Sequence, residues 1–376
     1  MVRTKKVLNI GIDLGTSRSV IACDNGMRTF VPSYVGYPKD AVSRKMVGKD
    51  IVFGDEAIRY RLALDLYRPF DKGQLKYTDV GDNDPEENAK AKRVARELLK
   101  HLVGLATEEE EDMEGMTIRG VLGAPALASK KNKRNLLDVA DGVLDDTMIV
   151  SEPFAVAYGL DLFNSALIID IGAGTVDLCR MSGTIPTEKD QITTLNAGDH
   201  IDKVFLDLIK EKYEDVDFTV AMIKRFKEEN AFISKQDEKV FIELPVRGKP
   251  VSYDVTKELK AACMTIVPEI VEGVKKLVAS FDPEFQRGLK RNVILAGGGS
   301  QMVGLRKQIE DYMKQELGYG RVTCVEEPLY AGANGALKLC KDMPDEYWDE
   351  LKSANKKDQT RESHETVTSI ASKQKV

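Results

Sequence analysis

Val7-Leu8-Asn9-Ile10-Gly11-Ile12-Asp13-Leu14-Gly15-Thr16-Ser17 is an apolar run that closes on an acid and a glycine turn. Ala166-Leu167-Ile168-Ile169-Asp170-Ile171-Gly172-Ala173-Gly174-Thr175 repeats the arrangement about one domain length further on. In each copy the run before the acid reads as a buried strand, the glycines let the backbone turn sharply, and the chain returns as a second strand. Each unit is then a tight hairpin with an acid at its tip. Successive backbone N–H groups in such a turn can point into one concavity and hold phosphate oxygens, with hydroxyl donors from Thr16, Ser17 and Thr175. Carboxylates repel phosphate, so Asp13 and Asp170 make sense beside it only with a cation between. That implies Mg²⁺ held mostly through water by the two acids. One such turn fits plain turn chemistry. Two, each after a buried strand, predict two related domains gripping one nucleotide triphosphate.

Composition sets the frame for that reading. A chain of 376 residues, 42% hydrophobic, can bury two substantial cores. No apolar stretch approaches membrane-spanning length and the N-terminus runs straight into the first strand, so neither a signal peptide nor direct membrane insertion is expected. Five scattered cysteines without C-x-x-C spacing read as reduced thiols in a cytoplasm, and the three histidines fit no zinc or triad pattern. A net charge of −6 disfavours nucleic acid as a partner. From Lys352 to Val376 there are six Lys or Arg against three Asp or Glu and few apolar residues, which predicts a disordered, mildly basic tail.

Between the landmarks the pattern alternates strand and helix, which predicts an α/β layer fold. The first hairpin continues as a meander that turns at Asp24-Asn25-Gly26. Short pieces from Pro32 to about Thr78 read as a small inserted subdomain, and Glu86 to Leu105 as an amphipathic helix. The run Glu108-Glu109-Glu110-Glu111-Asp112 reads as a solvated acidic loop. Strand Ile118–Leu122, helix Ser129–Ala140 and strand Thr147–Val150 lead to Ser151-Glu152-Pro153, which opens another helix. The second half repeats the plan: Asp170 to Met181, strand Gln191–Ala197, a helix from Asp199, and a charged insert over about 199–275. Strand Asn292–Ala296 then runs into Gly297-Gly298-Gly299-Ser300, with a helix expected from Gln301.

These residues resemble the actin-like ATPase superfamily, which includes actin, the ATPase domain of the large heat-shock chaperones and sugar kinases. Five segments carry the match in the family's order: Gly11 to Ser17, Ser151-Glu152-Pro153, Asp170 to Thr175, Ala296 to Ser300, and Glu327-Pro328-Leu329-Tyr330-Ala331-Gly332-Ala333-Asn334-Gly335-Ala336. They frame nearly the whole of the expected folded chain. Gly36-Tyr37-Pro38-Lys39-Asp40, Val150 to Phe154, Tyr158 to Asp161, and Gly183 to Pro186 followed by Asp190-Gln191 resemble prokaryotic actins of the MreB type. Among these they are similar to the filament proteins associated with magnetosome chains.

The resemblance implies an actin-like two-domain fold with a duplicated ribonuclease-H-like core. Domain I would span 1–161 with an insert over about 32–78, and domain II 162–340 with an insert over about 199–275. Residues 341–376 would supply a C-terminal helix returning to domain I and the tail. ATP or ADP with Mg²⁺ would occupy the central cleft, pinched by Gly15, Thr16 and Ser17 on one side and Gly172, Gly174 and Thr175 on the other. Asp13, Asp170 and Glu152 would be catalytic, Glu152 by positioning the attacking water. An acid before proline at a helix start is also favourable end electrostatics on its own. Gly297, Gly298, Gly299 and Ser300 would approach the adenosine. Lys227 and Glu228 would touch adenine and ribose, although the same pair fits an ordinary solvated helix face. Asp199 and Asp202 match a turn near the phosphates, and Asp199 fits a helix N-cap equally.

Fold does not settle function, because the same core serves filaments, kinases and chaperones. The expected activity is a cytoskeletal ATPase that polymerises with ATP in the cytoplasm and disassembles after hydrolysis. Its partners would be its own copies, through head-to-tail contacts, and magnetosome-associated proteins. The alternative is a non-polymerising ATPase or small-molecule kinase of the same superfamily. A kinase needs a separate base beside the γ-phosphate, and none is evident. A chaperone needs a substrate-binding domain after the core, and only a short helix from Asp345 and the tail follow it.

Overall fold

The computed structural model describes residues 6–76, 85–108, 110, 115–213, 216, 218–234 and 239–351. The basic tail from Lys352, most of the acidic run (Glu109, Glu111 and Asp112) and the end of the first insert at Thr78 lie outside the described residues.

Strands β1 (Val7–Leu14), β2 (Arg18–Cys23) and β3 (Arg28–Pro32) form the antiparallel meander that the turns at Gly15 and Gly26 require. The first insert follows as β4 (Val35–Pro38), α1 (Ala41–Val47), β5 (Val52–Phe53), α2 (Gly54–Arg59), β6 (Leu64–Tyr67), and a small hairpin, β7 (Phe70–Asp71) with β8 (Gln74–Leu75). Asp40 caps α1 by accepting from the Ser43 N–H, and Gly48 ends it in the left-handed region. Then come α3 (Pro85–Thr107), β9 (Thr117–Ala124), α4 (Lys130–Ala140), β10 (Asp146–Ser151) and α5 (Glu152–Gly159). The sheet order is β10-β9-β1-β2-β3, with β9 and β10 parallel to β1.

The second half builds the same sheet again. β11 (Asn164–Ile171), β12 (Val176–Ser182) and β13 (Gln191–Thr194) are the meander. After α6 (Gly198–Lys212), α7 (Val220–Asn230), β14 (Phe241–Val246), β15 (Lys249–Asp254), α8 (Thr256–Met264), α9 (Val267–Ala279) and α10 (Pro283–Arg291) comes β16 (Val293–Ala296), parallel to β11. The chain closes with α11 (Leu305–Leu317), β17 (Val322–Cys324) and α12 (Ala331–Asp342), giving the order β13-β12-β11-β16-β17. Two elements differ from expectation. The helix after the glycine run starts at Leu305 rather than Gln301: residues Gly298–Gln301 make a 3₁₀ turn, Val303 bridges to Phe232, and Gly304 adopts φ 86° before the helix. Within 199–275, α9 buries Ile270, Val274 and Leu277 with Leu178 of β12, so this part belongs to the core of the second half.

β11 is buried on both faces from Ala166 to Ile171, which is why its apolar run does not alternate, whereas β1 sends Leu8, Ile10, Ile12 and Leu14 into the core of the first half and keeps Asn9 and Asp13 partly buried on its other face. α3 and α4 cover the outer face of the first sheet, and α9 and α11 that of the second. Between the sheets lie α5 and α12, and they are exchanged. α5, from the first half, packs Val156 and Ala157 on Ala166, Ile168 and Cys179 of the second sheet, while α12 packs Ala333 on Val20 and Ala22 of the first. The two helices cross at Gly159 and Gly335, where a Cβ on Gly335 would stand 1.8 Å from the Ala155 carbonyl oxygen. Residues 345–351 are helical and bury Trp348 against Val121, Leu339 and Cys340.

Candidate functional site

The β1–β2 turn and the β11–β12 turn, one from each sheet, line one cleft of about 400 Å³. The duplicated topology places their acids equivalently. Asp13 pairs across the hairpin with Val20 and along the sheet with Gly123; Asp170 pairs with Asp177 and with Ala296. Glu152, the first residue of α5, joins them because β10 lies beside β9 and delivers its end to the same floor.

Each of the three acids lies against a glycine. Cβ atoms on Gly332, Gly297 and Gly123 would stand 3.4 Å from Asp13 Oδ2, 2.3 Å from Asp170 Oδ1 and 3.1 Å from Glu152 Cγ respectively. Gly297 has φ 74°, so both conformation and space exclude a side chain there. Burial raises all three carboxyl pKa values, and their mutual repulsion adds to it. Asp13 is pushed up to about 6, by burial and then by Asp177. Glu152 is raised well above the usual range by burial, then by Asp13, Asp177 and Asp170; Asp170 follows the same pattern with Asp13 and Asp177.

Asp177 is a fourth buried acid that does not line the cleft but lies close enough behind its floor to raise Asp13, Glu152 and Asp170. It is buried and raised, and it is partly offset by hydrogen bonds from Thr193, Thr175 and the Ala126 N–H. Sequence reading did not single it out. The available signal was an acid inside the apolar strand Val176-Asp177-Leu178-Cys179.

The two glycine turns meet directly. A Cβ on Gly174 would lie 2.4 Å from Thr16 Oγ1 and 2.8 Å from Lys72 Cα, so only glycine lets the second turn approach the first. The Gly73 N–H of the β7–β8 hairpin donates to Thr16 Oγ1 at 3.1 Å. Gly15, Thr16, Ser17, Gly172, Gly174 and Thr175 all line the cleft. Thr175, read from sequence as a free hydroxyl donor, is engaged with Asp177.

On the far side Gly297, Gly298 and Gly299 line the cleft but Ser300 does not; it is buried and its hydroxyl donates to the Gly297 carbonyl at 2.7 Å. Lys227 and Glu228 also line it, which separates them from a plain solvated helix face. Lys227 Nζ is 2.8 Å from Asp202 and donates to the Gly198 carbonyl at 2.9 Å, fastening α7 to α6. Glu228 forms an ion pair across the cleft with Arg18 of β2 at 2.7 Å. Asp199 is not the N-cap of α6: it lies inside the first turn, where Ala197 is the cap residue, and its carboxylate pairs with Arg68 at 2.6 Å. Arg18 and Arg68 were invisible in sequence because their partners lie in the other half of the chain.

Among the described residues no group of three or more His, Cys, Asp or Glu side chains is placed to hold a metal ion. Mg²⁺ brought in with a nucleotide needs no such cluster, because it keeps several waters and takes only one or two carboxylates beside the phosphates, and Asp13 and Asp170 line the cleft as such a pair. The floor's buried acids, raised by one another, fit a cation brought in with an anionic ligand. Among the described residues no helix is long and apolar enough to cross a membrane.

Two repeated sheets, each placing an acidic glycine turn on a shared cleft, define an actin-like protein. The family described as MreB/Mbl protein matches residues 7–346, and the chain belongs to it. It is 39% identical over 349 residues to the actin-like protein MamK of Magnetospirillum gryphiswaldense, covering 93% of each chain. A solved structure of a MamK double helical filament is 37% identical and superposes with a TM-score of 0.83, over 90% of this chain and all of that one. A non-polymerising MamK mutant bound to AMPPNP matches over the same shares with a TM-score of 0.67.

Proposed function

We propose that this chain is a filament-forming ATPase that binds ATP with Mg²⁺ between its two halves and organises or positions magnetosome chains. The carrying observation is that Asp13 and Asp170, on facing turns from two different sheets, share one cleft floor with Glu152. The turns would hold the phosphates through their backbone N–H groups. Asp13 and Asp170 would hold the magnesium ion through its waters, and the ion would neutralise charge on the phosphates. Glu152 would orient a water in line with the γ-phosphorus and accept its proton as the new P–O bond forms and the bond to the β-phosphate oxygen breaks. Its raised proton affinity suits a base. The walls around Gly297 and Lys227–Glu228 would take the adenosine.

Because α5 and α12 are exchanged between the sheets, a ligand bridging the turns acts on both halves at once, so nucleotide state can change their relative setting. Head-to-tail stacking of identical subunits through contacts whose rotation does not close would then yield a filament rather than a ring. The likeness to MamK filaments supports that reading, and a cytoplasmic, magnetosome-associated setting is part of the proposal. The test is sedimentation with ATP, ADP or no nucleotide, followed by negative-stain imaging. Glu152→Ala is expected to assemble with ATP but release phosphate about a hundredfold more slowly. Unchanged phosphate release would remove Glu152 from this role, and a soluble protein in every nucleotide state would remove assembly.

A further inference from the structure

Arg68 lies between β6 and β7 in the first insert, about a fifth exposed, and does not line the cleft. Its Nε–H donates to the Thr16 carbonyl at 2.7 Å and its Nη2 donates to Asp199 Oδ2 at 2.6 Å. Asp199 and Gly198 in turn reach the second turn by backbone bonds: the Asp199 N–H donates to the Ala173 carbonyl at 2.7 Å and the Gly198 N–H to the Gly172 carbonyl at 3.1 Å. One guanidinium thus ties the first phosphate turn to the second through a continuous chain of short polar contacts. The only other cation facing Asp199 among the described pairs is Lys224, 3.9 Å away.

We propose that Arg68 is a positioning residue that sets the separation of the two phosphate turns, holding Thr16 directly and Gly172–Ala173 through Asp199. A guanidinium suits the task because its N–H groups are fixed in one plane, so a carbonyl and a carboxylate held together are held at a set spacing and angle; an ammonium makes either contact without fixing the other. The spacing matters because a displacement of about 1 Å between groups on opposite turns is enough to lower a chemical step about a hundredfold. Binding of the nucleotide is spread over many contacts on both walls. The chemical step depends on Asp13, Asp170 and Glu152 meeting one phosphate. Arg68 therefore acts on turnover more than on affinity. The consequence for turnover rests on the ATPase reading above; the tie between the turns does not.

The test uses the full chain with Arg68→Ala, Arg68→Lys, Arg68→Gln, Asp199→Asn and the Arg68→Gln/Asp199→Asn double variant. Hydrogen exchange of the nucleotide-free proteins comes first: Arg68→Ala is expected to speed exchange at residues 15–17 and 172–174 together. Faster exchange confined to the first insert would overturn the proposal. In phosphate release with ATP, Arg68→Ala is expected to lower kcat about tenfold while nucleotide affinity changes less than about threefold. Arg68→Lys is expected to recover only part of that loss, and the double variant to be no slower than Arg68→Gln alone. Additive losses, full rescue by lysine, or wild-type turnover in Arg68→Ala would each overturn it. If the wild-type chain releases no phosphate at all, the ATPase reading fails and the exchange result still decides the tie.

Discussion

The Asp177 carboxylate, on the second sheet, accepts a 2.7 Å hydrogen bond from the backbone N–H of Ala126, in the loop that leaves the first sheet. The neighbouring Leu127 N–H donates to Thr193 Oγ1 at 3.1 Å, and Thr193 itself donates to Asp177 at 2.5 Å. One buried acid therefore joins the two halves beside the cleft floor. Asp177→Ala leaves the Ala126 N–H buried without an acceptor and is expected to lower stability by about 1–3 kcal/mol. Asp177→Asn keeps an acceptor oxygen and relieves repulsion with Asp13 and Glu152, so its loss is expected to be smaller. Urea midpoints of the two variants without nucleotide check the order; equal losses would argue against the hydrogen bond as the cause.

A tighter constraint holds where the exchanged helices cross. Gly335→Ala places a methyl carbon 1.8 Å from the Ala155 carbonyl oxygen and 2.5 Å from its carbon, both backbone atoms that no rotamer change can move. The expected loss is at or above the upper end of the roughly 1–3 kcal/mol that overpacking brings. Gly104→Ala, in α3 with open space around its Cβ position, serves as the control and is expected to be neutral or slightly stabilising. Thermal melts of both variants measure the difference, and similar melting temperatures would show that the crossing gives way.

The fold was legible in the chain because local chemistry announced it twice. Largely apolar runs ending in acid and glycine specify central strands, tight turns and buried acids without reference to anything distant, and Asp13, Glu152 and Asp170 do reach one cleft. What stayed hidden depends on partners far away in sequence. Arg68 means nothing until Asp199 is beside it, Arg18 until Glu228 is, and Asp177 until the Ala126 loop is. The helix expected from Gln301 starts late for the same reason: a bridge to Phe232 holds Val303 extended, and no feature near Gln301 signals that strand partner.

The acids on the cleft floor make the nucleotide-free protein sensitive to pH in an unusual direction. Asp13 has a folded pKa of about 6 against 3.8 when unperturbed, so between those values the folded state binds the proton that the unfolded state has lost. Its contribution is fully present below pH 3.8 and disappears as pH rises through 6; Glu152 and Asp170, also raised, extend the decline upward. A tenfold difference in proton affinity between the folded and unfolded states is worth about 1.4 kcal/mol, so Asp13 alone changes stability by roughly 3 kcal/mol across the window. Asp190, held low by Thr187 and Arg180, acts in the opposite sense only in the acid range below it, and the half-buried His101, lowered by burial, opposes the three acids within the window as a single group. Scanning fluorimetry without nucleotide is expected to show melting temperature falling from pH 5 to pH 7. Asp13→Asn and added Mg²⁺ with nucleotide are each expected to flatten that slope, and a rise over the same range in the wild-type chain would refute the assignment.

The last helical segment offers a probe of how the end of the chain is held. Trp348 is the chain's single tryptophan and is 1% exposed, packed with Val121, Ala155, Ala336, Leu339 and Cys340. Arg119 sits over its ring at 5.6 Å and pairs with Asp345 at 2.5 Å, so the segment is fastened to β9 by one large apolar side chain and one ion pair. Residues 345–351 make barely two turns, too few to be helical in isolation, so their order depends on this docking. Asp345 is largely exposed, and its pair contributes at most about 1 kcal/mol. Trp348→Ala removes the apolar anchor and is expected to weaken docking by about 3–5 kcal/mol, whereas Asp345→Asn is expected to change little. Protease cleavage after residue 343 should be slow in the wild-type chain and in Asp345→Asn, and fast in Trp348→Ala. Native tryptophan emission should be blue-shifted in the first two. Rapid cleavage of the wild-type chain, or red emission from it under native conditions, would mean that the segment is not held by this side chain.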